Sequence, residues 1–120
     1  MSRYNGILSI LPRYSGSAEM ELFLGQQNLV ILKDLKSATL SGAALNSATT
    51  TVALTTLAGA SLSSATMSYV SGSAGRYEGT LPVVASLVEG TEYLTKITVL
   101  SGGTTVAYWQ LRNTAVQRRD

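Results

Sequence analysis

Serines, lysines and a close pair of glutamates are the side chains in this sequence best placed to do covalent or acid–base chemistry. A serine nucleophile needs a base within hydrogen-bond reach and a third group to orient that base. The chain has no histidine, so only Lys33, Lys36 or Lys96 could serve, and none of them stands in a Ser-x-x-Lys spacing. Surface solubility is the better account of the serines. Glu89 and Glu92 invite comparison with the carboxylate pair of a glycosidase, but such a pair must face each other across a cleft at about 5 to 10 Å. These two flank the turn residues Gly90-Thr91 and read as a solvated loop. Gly72-x-x-Gly75 and Gly102-Gly103 resemble phosphate loops only superficially, because neither leads into a helix whose N-terminus would hold the anion. Cysteine is absent, which removes thiolate chemistry and any disulfide scaffold. No catalytic, cofactor-binding or metal-ligating residue is assigned, and the chain is expected to be no enzyme and to need no cofactor.

The composition bears on partners. Charged residues make up only 13% of the chain against 45% hydrophobic, so Ser and Thr supply most of the polar surface. A surface of that kind is easier to desolvate than one covered in Lys and Glu, and interfaces are depleted in those charges. The formal net charge of +2 is too small for a nucleic-acid or anionic-membrane partner, either of which calls for a dense Lys/Arg stripe. Arg112, Arg118 and Arg119 are read instead as salt-bridge donors to an adjoining subunit. The apolar run from Ile7 to Leu11 is cut short by Pro12 and Arg13, too soon for a signal peptide or a membrane span. The product is expected to stay in the cell that makes it until something releases it.

The elements read as short β-favouring runs divided by Gly, Ser and Asn, and 120 residues suit a single core. Asn28 to Leu35 gives a first buried strand through Leu29-Val30-Ile31-Leu32. Ala48 to Thr56 places Thr50, Val52 and Leu54 on one face and Thr49, Thr51 and Thr55 on the other. Leu57 to Ser64 reads as a loop from which Leu62 dips into the core. Thr66 to Val70 and Arg76 to Leu81 read as a hairpin across Ser71–Gly75, ended by Pro82, which has no amide hydrogen to donate. Glu92 to Leu100 alternates Tyr93, Thr95, Ile97 and Val99 against its other face. A turn at Ser101-Gly102-Gly103 then leads into Thr104 to Arg112. Tyr108 and Trp109 are adjacent on that strand and must point to opposite faces, so one of them is free to meet a neighbour. Before Gln27 the runs are brief, with Ala18 to Leu24 a short strand or helical turn at most. Exposed Tyr4, Ile7, Leu8, Ile10 and Leu11 would be costly at about 25 cal/mol per Å² of apolar area, so this arm is expected to dock on its own domain or on another subunit.

The segment Leu87-Val88-Glu89-Gly90-Thr91-Glu92-Tyr93 resembles the tyrosine corner of immunoglobulin-like and fibronectin type III sandwiches. The resemblance implies that Tyr93 hydrogen-bonds back to upstream backbone, with Leu87 packing beneath it. A wider pattern from Asp34 to Leu111 includes Met67-Ser68-Tyr69-Val70-Ser71-Gly72-Ser73-Ala74-Gly75-Arg76-Tyr77-Glu78-Gly79-Thr80-Leu81-Pro82. This looks like small immunoglobulin-like proteins of tailed-bacteriophage virions, found at the capsid surface or head–tail region. What it implies is a multi-copy virion component, made in the host cytoplasm without a signal peptide and released by lysis.

The reading is therefore an all-β, immunoglobulin-like β-sandwich with an extended N-terminal arm. Residues 1–27 form the arm or edge segment, 28–113 the sandwich and 114–120 a C-terminal tail. Its expected function is non-catalytic: binding other virion structural proteins, and copies of itself, as a capsid decoration or cement or as a head–tail neck component. The alternative is a carbohydrate- or receptor-binding module carried on the sandwich loops. Trp109, Tyr69 and Tyr77 are better used in the core than as an aromatic platform, and acids are too sparse for a calcium site.

Overall fold

The computed structural model describes residues 14–37 and 44–117, and every regular element in them is a β-strand. In chain order these are β1 (Tyr14–Met20), β2 (Asn28–Ser37), β3 (Thr49–Thr56), β4 (Ser61–Tyr69), β5 (Tyr77–Leu81), β6 (Glu92–Ser101) and β7 (Thr104–Thr114). All the strand pairs are antiparallel, in the order β1-β2-β5-β4-β3-β6-β7. The sheet bends into two layers at β4–β5, where pairing shrinks to Ser68↔Glu78 and Tyr69↔Tyr77. One layer is β1-β2-β5 and the other is β4-β3-β6-β7, an arrangement compatible with an immunoglobulin-like sandwich.

Period-two alternation selects the inner faces. From the smaller layer Val30, Leu32, Leu35, Tyr77 and Leu81 are buried, and from the larger Val52, Leu54, Met67, Ile97, Val99 and Ala107 close over them. Each large aliphatic side chain withdrawn in this way contributes about 1.5–3 kcal/mol relative to leaving it in water. Strand β2 keeps Leu35 in this set by slipping phase. The register with β1 shifts between Ser15 and Ser17, and Asp34 takes a φ of 56°. The extra residue turns Asp34 outward and Leu35 inward, the reverse of strict alternation from Leu32. Aspartate tolerates the left-handed region better than most residues do.

One inward hydroxyl has no partner: Thr50 Oγ1 is fully buried and makes no hydrogen bond. Thr50→Val keeps the branched shape and removes the unmatched polar atom, whose burial costs about 1–3 kcal/mol. A rise in melting temperature is expected, read by circular dichroism, whereas a fall would mean that the hydroxyl is satisfied in solution.

Several expectations are corrected. Ser61–Ser64, expected as loop, is the first half of β4, paired with β3 over Leu54↔Ser63 and Ala53↔Ser64. Cross-strand pairing there outweighs the weak strand preference of serine. Leu62 does pack against the core. The expected hairpin between Thr66–Val70 and Arg76–Leu81 survives only at its closed end, since β5 pairs mainly with β2, from Asn28↔Leu81 to Leu32↔Tyr77. Asn28 does not open the first strand, because β1 precedes it. Within the segment 1–27 expected to be an arm or edge segment, Tyr14–Met20 is this edge strand and Leu22 lies in the core. At the other boundary the sheet runs through Thr114, and Ala115, expected in the tail, is fully buried. Tyr4, Ile7, Leu8, Ile10, Leu11, Arg118 and Arg119 lie outside the described residues.

The sandwich edges β1 and β7 come together without a regular ladder. Leu24 N donates to Val116 O and Val116 N to Leu22 O, both at 3.0 Å, forming a parallel bridge at one end. Further along, Asn113 Nδ2 donates to Met20 O at 3.0 Å, so a side chain supplies a bond that a strand would otherwise make. The Trp109 ring packs over Gly16, where an added Cβ would lie 3.1 Å from its Cζ2 atom.

Candidate functional site

The residues with chemical potential are dispersed. Lys33 is held by Glu19 at 2.6 Å on the outer face of the β1-β2-β5 layer. Lys96 sits at mid-strand in β6, opposite Ala53 and Gln110. Glu92 lies 3.8 Å from Arg112, an exposed pair of the kind worth little to stability. Arg76 meets Glu78 through both Nε and Nη2 at 2.8 Å. No group of three or more His, Cys, Asp or Glu is placed to hold a metal among the described residues. No helix there is long and apolar enough to cross a membrane.

The tyrosine corner has the geometry its sequence implied. The Val88 amide donates to Tyr93 Oη at 2.9 Å across the turn containing Gly90, and Leu87 packs against the core below. Tyr93→Phe removes this bond alone, and a loss of about 1 kcal/mol is expected as a lower melting temperature with an unchanged far-ultraviolet spectrum. An unaltered melting temperature would remove the corner from the stabilising contacts.

The glycine segments serve turns. Gly102-Gly103 closes β6 onto β7 between Ser101 and Thr104. In the β4–β5 connection, Tyr69 Oη donates to Ser73 O and Ser73 Oγ donates to Val70 O at 2.6 Å. Gly75 lies against the β2 backbone, receiving Leu35 N on its carbonyl at 2.9 Å and donating its own amide to Asn46 Oδ1 at 2.9 Å.

Polar side chains that sequence reading did not single out hold the loops in place. Asn28 Oδ1 accepts from Phe23 N at 2.9 Å, while its Nδ2 donates to Phe23 O at 3.1 Å, shaping the β1–β2 loop. Tyr77 Oη donates to Leu45 O at 2.7 Å and accepts from Ala48 N at 3.1 Å. An asparagine at the start of a strand is a local signal for side-chain capping of nearby backbone. The Tyr77 and Asn113 contacts bridge residues far apart in sequence, and no local signal announces them.

What remains is surface. Tyr77 is fully buried and Tyr69 and Trp109 pack against the core, whereas Tyr108 is 45% exposed with its hydroxyl 3.2 Å from Gln110 Oε1. Of the pair that had to part, Tyr108 is the outward one. It ends a row of side chains, Thr66, Thr51, Thr98 and Tyr108, that crosses the outer face of the larger layer through successive strand pairs. Leu57, Val83 and Val88 are exposed in the connections at one end of the sandwich, where exposed Val116 follows β7 and exposed Leu29 is the second residue of β2. A hollow of about 700 Å³ lies beside them, where the end of β1 and the β1–β2 loop face β7.

These features define an immunoglobulin-like sandwich with a packed interior and apolar surface gathered at one end. No protein-family model matches the chain, and no curated protein matches it.

Proposed function

We propose that this protein is a non-catalytic structural component of a tailed-phage virion, binding other virion proteins and copies of itself as a capsid decoration or neck component. The observation that carries the reading is the gathering of exposed Leu57, Val83, Val88, Val116 and Leu29 at one end of the sandwich. Single exposed apolar residues need no explanation, whereas five at one end of a sandwich offer a surface for a partner to cover. The row of threonines across the larger layer is a second surface that costs little to desolvate. On a repeating lattice many modest contacts suffice, because each bound copy raises the effective concentration at the next site. In this reading the chain is made in the host cytoplasm and its destination is the virion.

The test is co-sedimentation of the purified chain with phage particles assembled without it. Binding is expected, and it should weaken when Val83→Asp and Val88→Asp are introduced into the exposed connection. Any deletion used in such work must stop before Tyr14, since Leu22 belongs to the core. Failure to bind particles, together with specific retention on a glycan array, would replace this reading with a carbohydrate-binding one.

A further inference from the structure

With no cysteine, the chain carries its sulfur in three methionines, Met1, Met20 and Met67. Met67 is buried in the core and Met1 lies outside the described residues, whereas Met20 is half-buried where β1 meets β7. We propose that Met20 is an oxidation-sensitive latch on this seam: a peroxide converts its thioether to the sulfoxide, and the two strands then part.

The seam depends on scattered contacts. Strands β1 and β7 run in step, with Gly16 beside Trp109, Met20 beside Asn113 and Phe23 beside Val116, yet no ladder joins them. Backbone meets backbone at the Val116 end, and Trp109 covers Gly16 at the other. Between these points Met20 is held twice. Its carbonyl accepts from Asn113 Nδ2 at 3.0 Å, and its sulfur accepts from Thr95 Oγ1 at 3.2 Å. Thr95 is fully buried and its hydroxyl also lies 3.4 Å from Asn113 Oδ1, so its single proton serves either the sulfur or the amide. Sulfur, hydroxyl and amide thus form one small network, and the Met20 side chain packs against the core.

Met20 borders the hollow beside the seam, within reach of a molecule as small as hydrogen peroxide. A sulfur lone pair attacks one peroxide oxygen, and the S–O bond forms as the O–O bond breaks. The proton of the transferred oxygen passes to the departing hydroxide, which leaves as water. Sulfur is oxidised to the sulfoxide and the peroxide is reduced. Neither orientation of the new oxygen suits the site. Aimed at Thr95 it falls well inside contact distance of Oγ1, since the sulfur itself already stands at 3.2 Å. Turned away, it leaves a sulfur too electron-poor to accept the buried proton, and it makes polar a side chain that packs against the core. Both outcomes disturb Thr95 and, through it, the Asn113 amide that spans the seam.

Trp109 is the single tryptophan of the chain, and because it packs over Gly16 it reports on the seam directly. The full chain is treated with hydrogen peroxide, oxygen gained at each methionine is read by peptide mass spectrometry, and tryptophan fluorescence is followed. Met20 is expected to gain one oxygen well before Met67. As it does, Trp109 emission should move to longer wavelength and its quenching by acrylamide should roughly double, and methionine sulfoxide reductase should restore the original spectrum. Met20→Leu, which keeps the volume without the sulfur, should hold its emission through the same treatment, with a thermal melt confirming that it folds. Met67 oxidised as fast as Met20, an unmoved Trp109 emission once Met20 is oxidised, or an equal shift in Met20→Leu would each overturn the inference.

Discussion

Gly75→Ala is expected to lower the stability of the fold by on the order of 4 kcal/mol, enough to unfold much of the population of a marginally stable domain. Two effects add at this position. The backbone of Gly75 has a φ of 79°, where a Cβ crowds the chain at a cost of about 1–2 kcal/mol. That Cβ would also lie 2.5 Å from Leu35 O and 2.7 Å from Leu35 N, both rigid backbone atoms of β2. Relief requires the connection to withdraw from β2, which breaks the Leu35–Gly75 hydrogen bond and loosens the Asn46 contact. Gly72→Ala separates the two effects. Its φ is 82°, yet an added Cβ there meets nothing within 4 Å, so only the conformational cost applies. Chemical denaturation should show Gly72→Ala losing about 1 kcal/mol and Gly75→Ala several times more. Equal losses would mean that the clash relaxes without consequence.

Tyr77→Phe should be the next most damaging change, at about 2 kcal/mol, because one hydroxyl satisfies two backbone groups and both lose their partner. The ring itself stays in place, fully buried and 5.6 Å from the Tyr69 ring between centroids. The same residue gives the fold a pH dependence. Burial pushes the Tyr77 hydroxyl above the usual tyrosine value, an effect that the bond from Ala48 partly opposes and the neighbouring Tyr69 reinforces. Below about pH 10 the phenol is neutral in both states and its contribution is fully present. Above that, the unfolded chain releases the proton first, the folded state holds more protons, and stability falls as pH rises through the folded value. Denaturation midpoints at about pH 8 and about pH 11 should therefore converge for the unaltered protein and Tyr77→Phe as the pH rises. A constant gap would show that the buried hydroxyl does not titrate differently on folding.

The sequence made the larger layer legible and the smaller one much less so. In β3, β6 and β7 the alternation of apolar and polar residues is regular, the turns carry glycine, and the inner set Val52, Leu54, Ile97 and Val99 follows directly. Strand β4 begins with Ser61, Ser63 and Ser64, residues whose strand state comes from their neighbour and not from their own preference. Strand β1, Tyr-Ser-Gly-Ser-Ala-Glu-Met, carries so little apolar signal that its place beside β2 is visible only once β2 is folded. The pairing of β5 with β2 joins residues about fifty apart, and alternation sets which face a residue takes but not which strand lies alongside. The tyrosine corner was readable because all of its parts lie within seven residues, from Leu87 to Tyr93. The contact surfaces follow a different rule. Leu57 comes from the β3–β4 connection, Val83 and Val88 from the β5–β6 connection and Val116 from beyond β7, and only the closed sandwich brings them to one end.

The proposed virion role rests on the packed interior, the dispersed ionisable groups among the described residues and the exposed apolar residues at one end of the sandwich. The most direct measurement of that claim is quantitative mass spectrometry of purified phage particles from a lysate that encodes this chain. Peptides of the chain should be recovered at many copies per particle, in a fixed ratio to a capsid or neck protein. Particles lacking them, while the chain accumulates free in the lysate, would contradict the account.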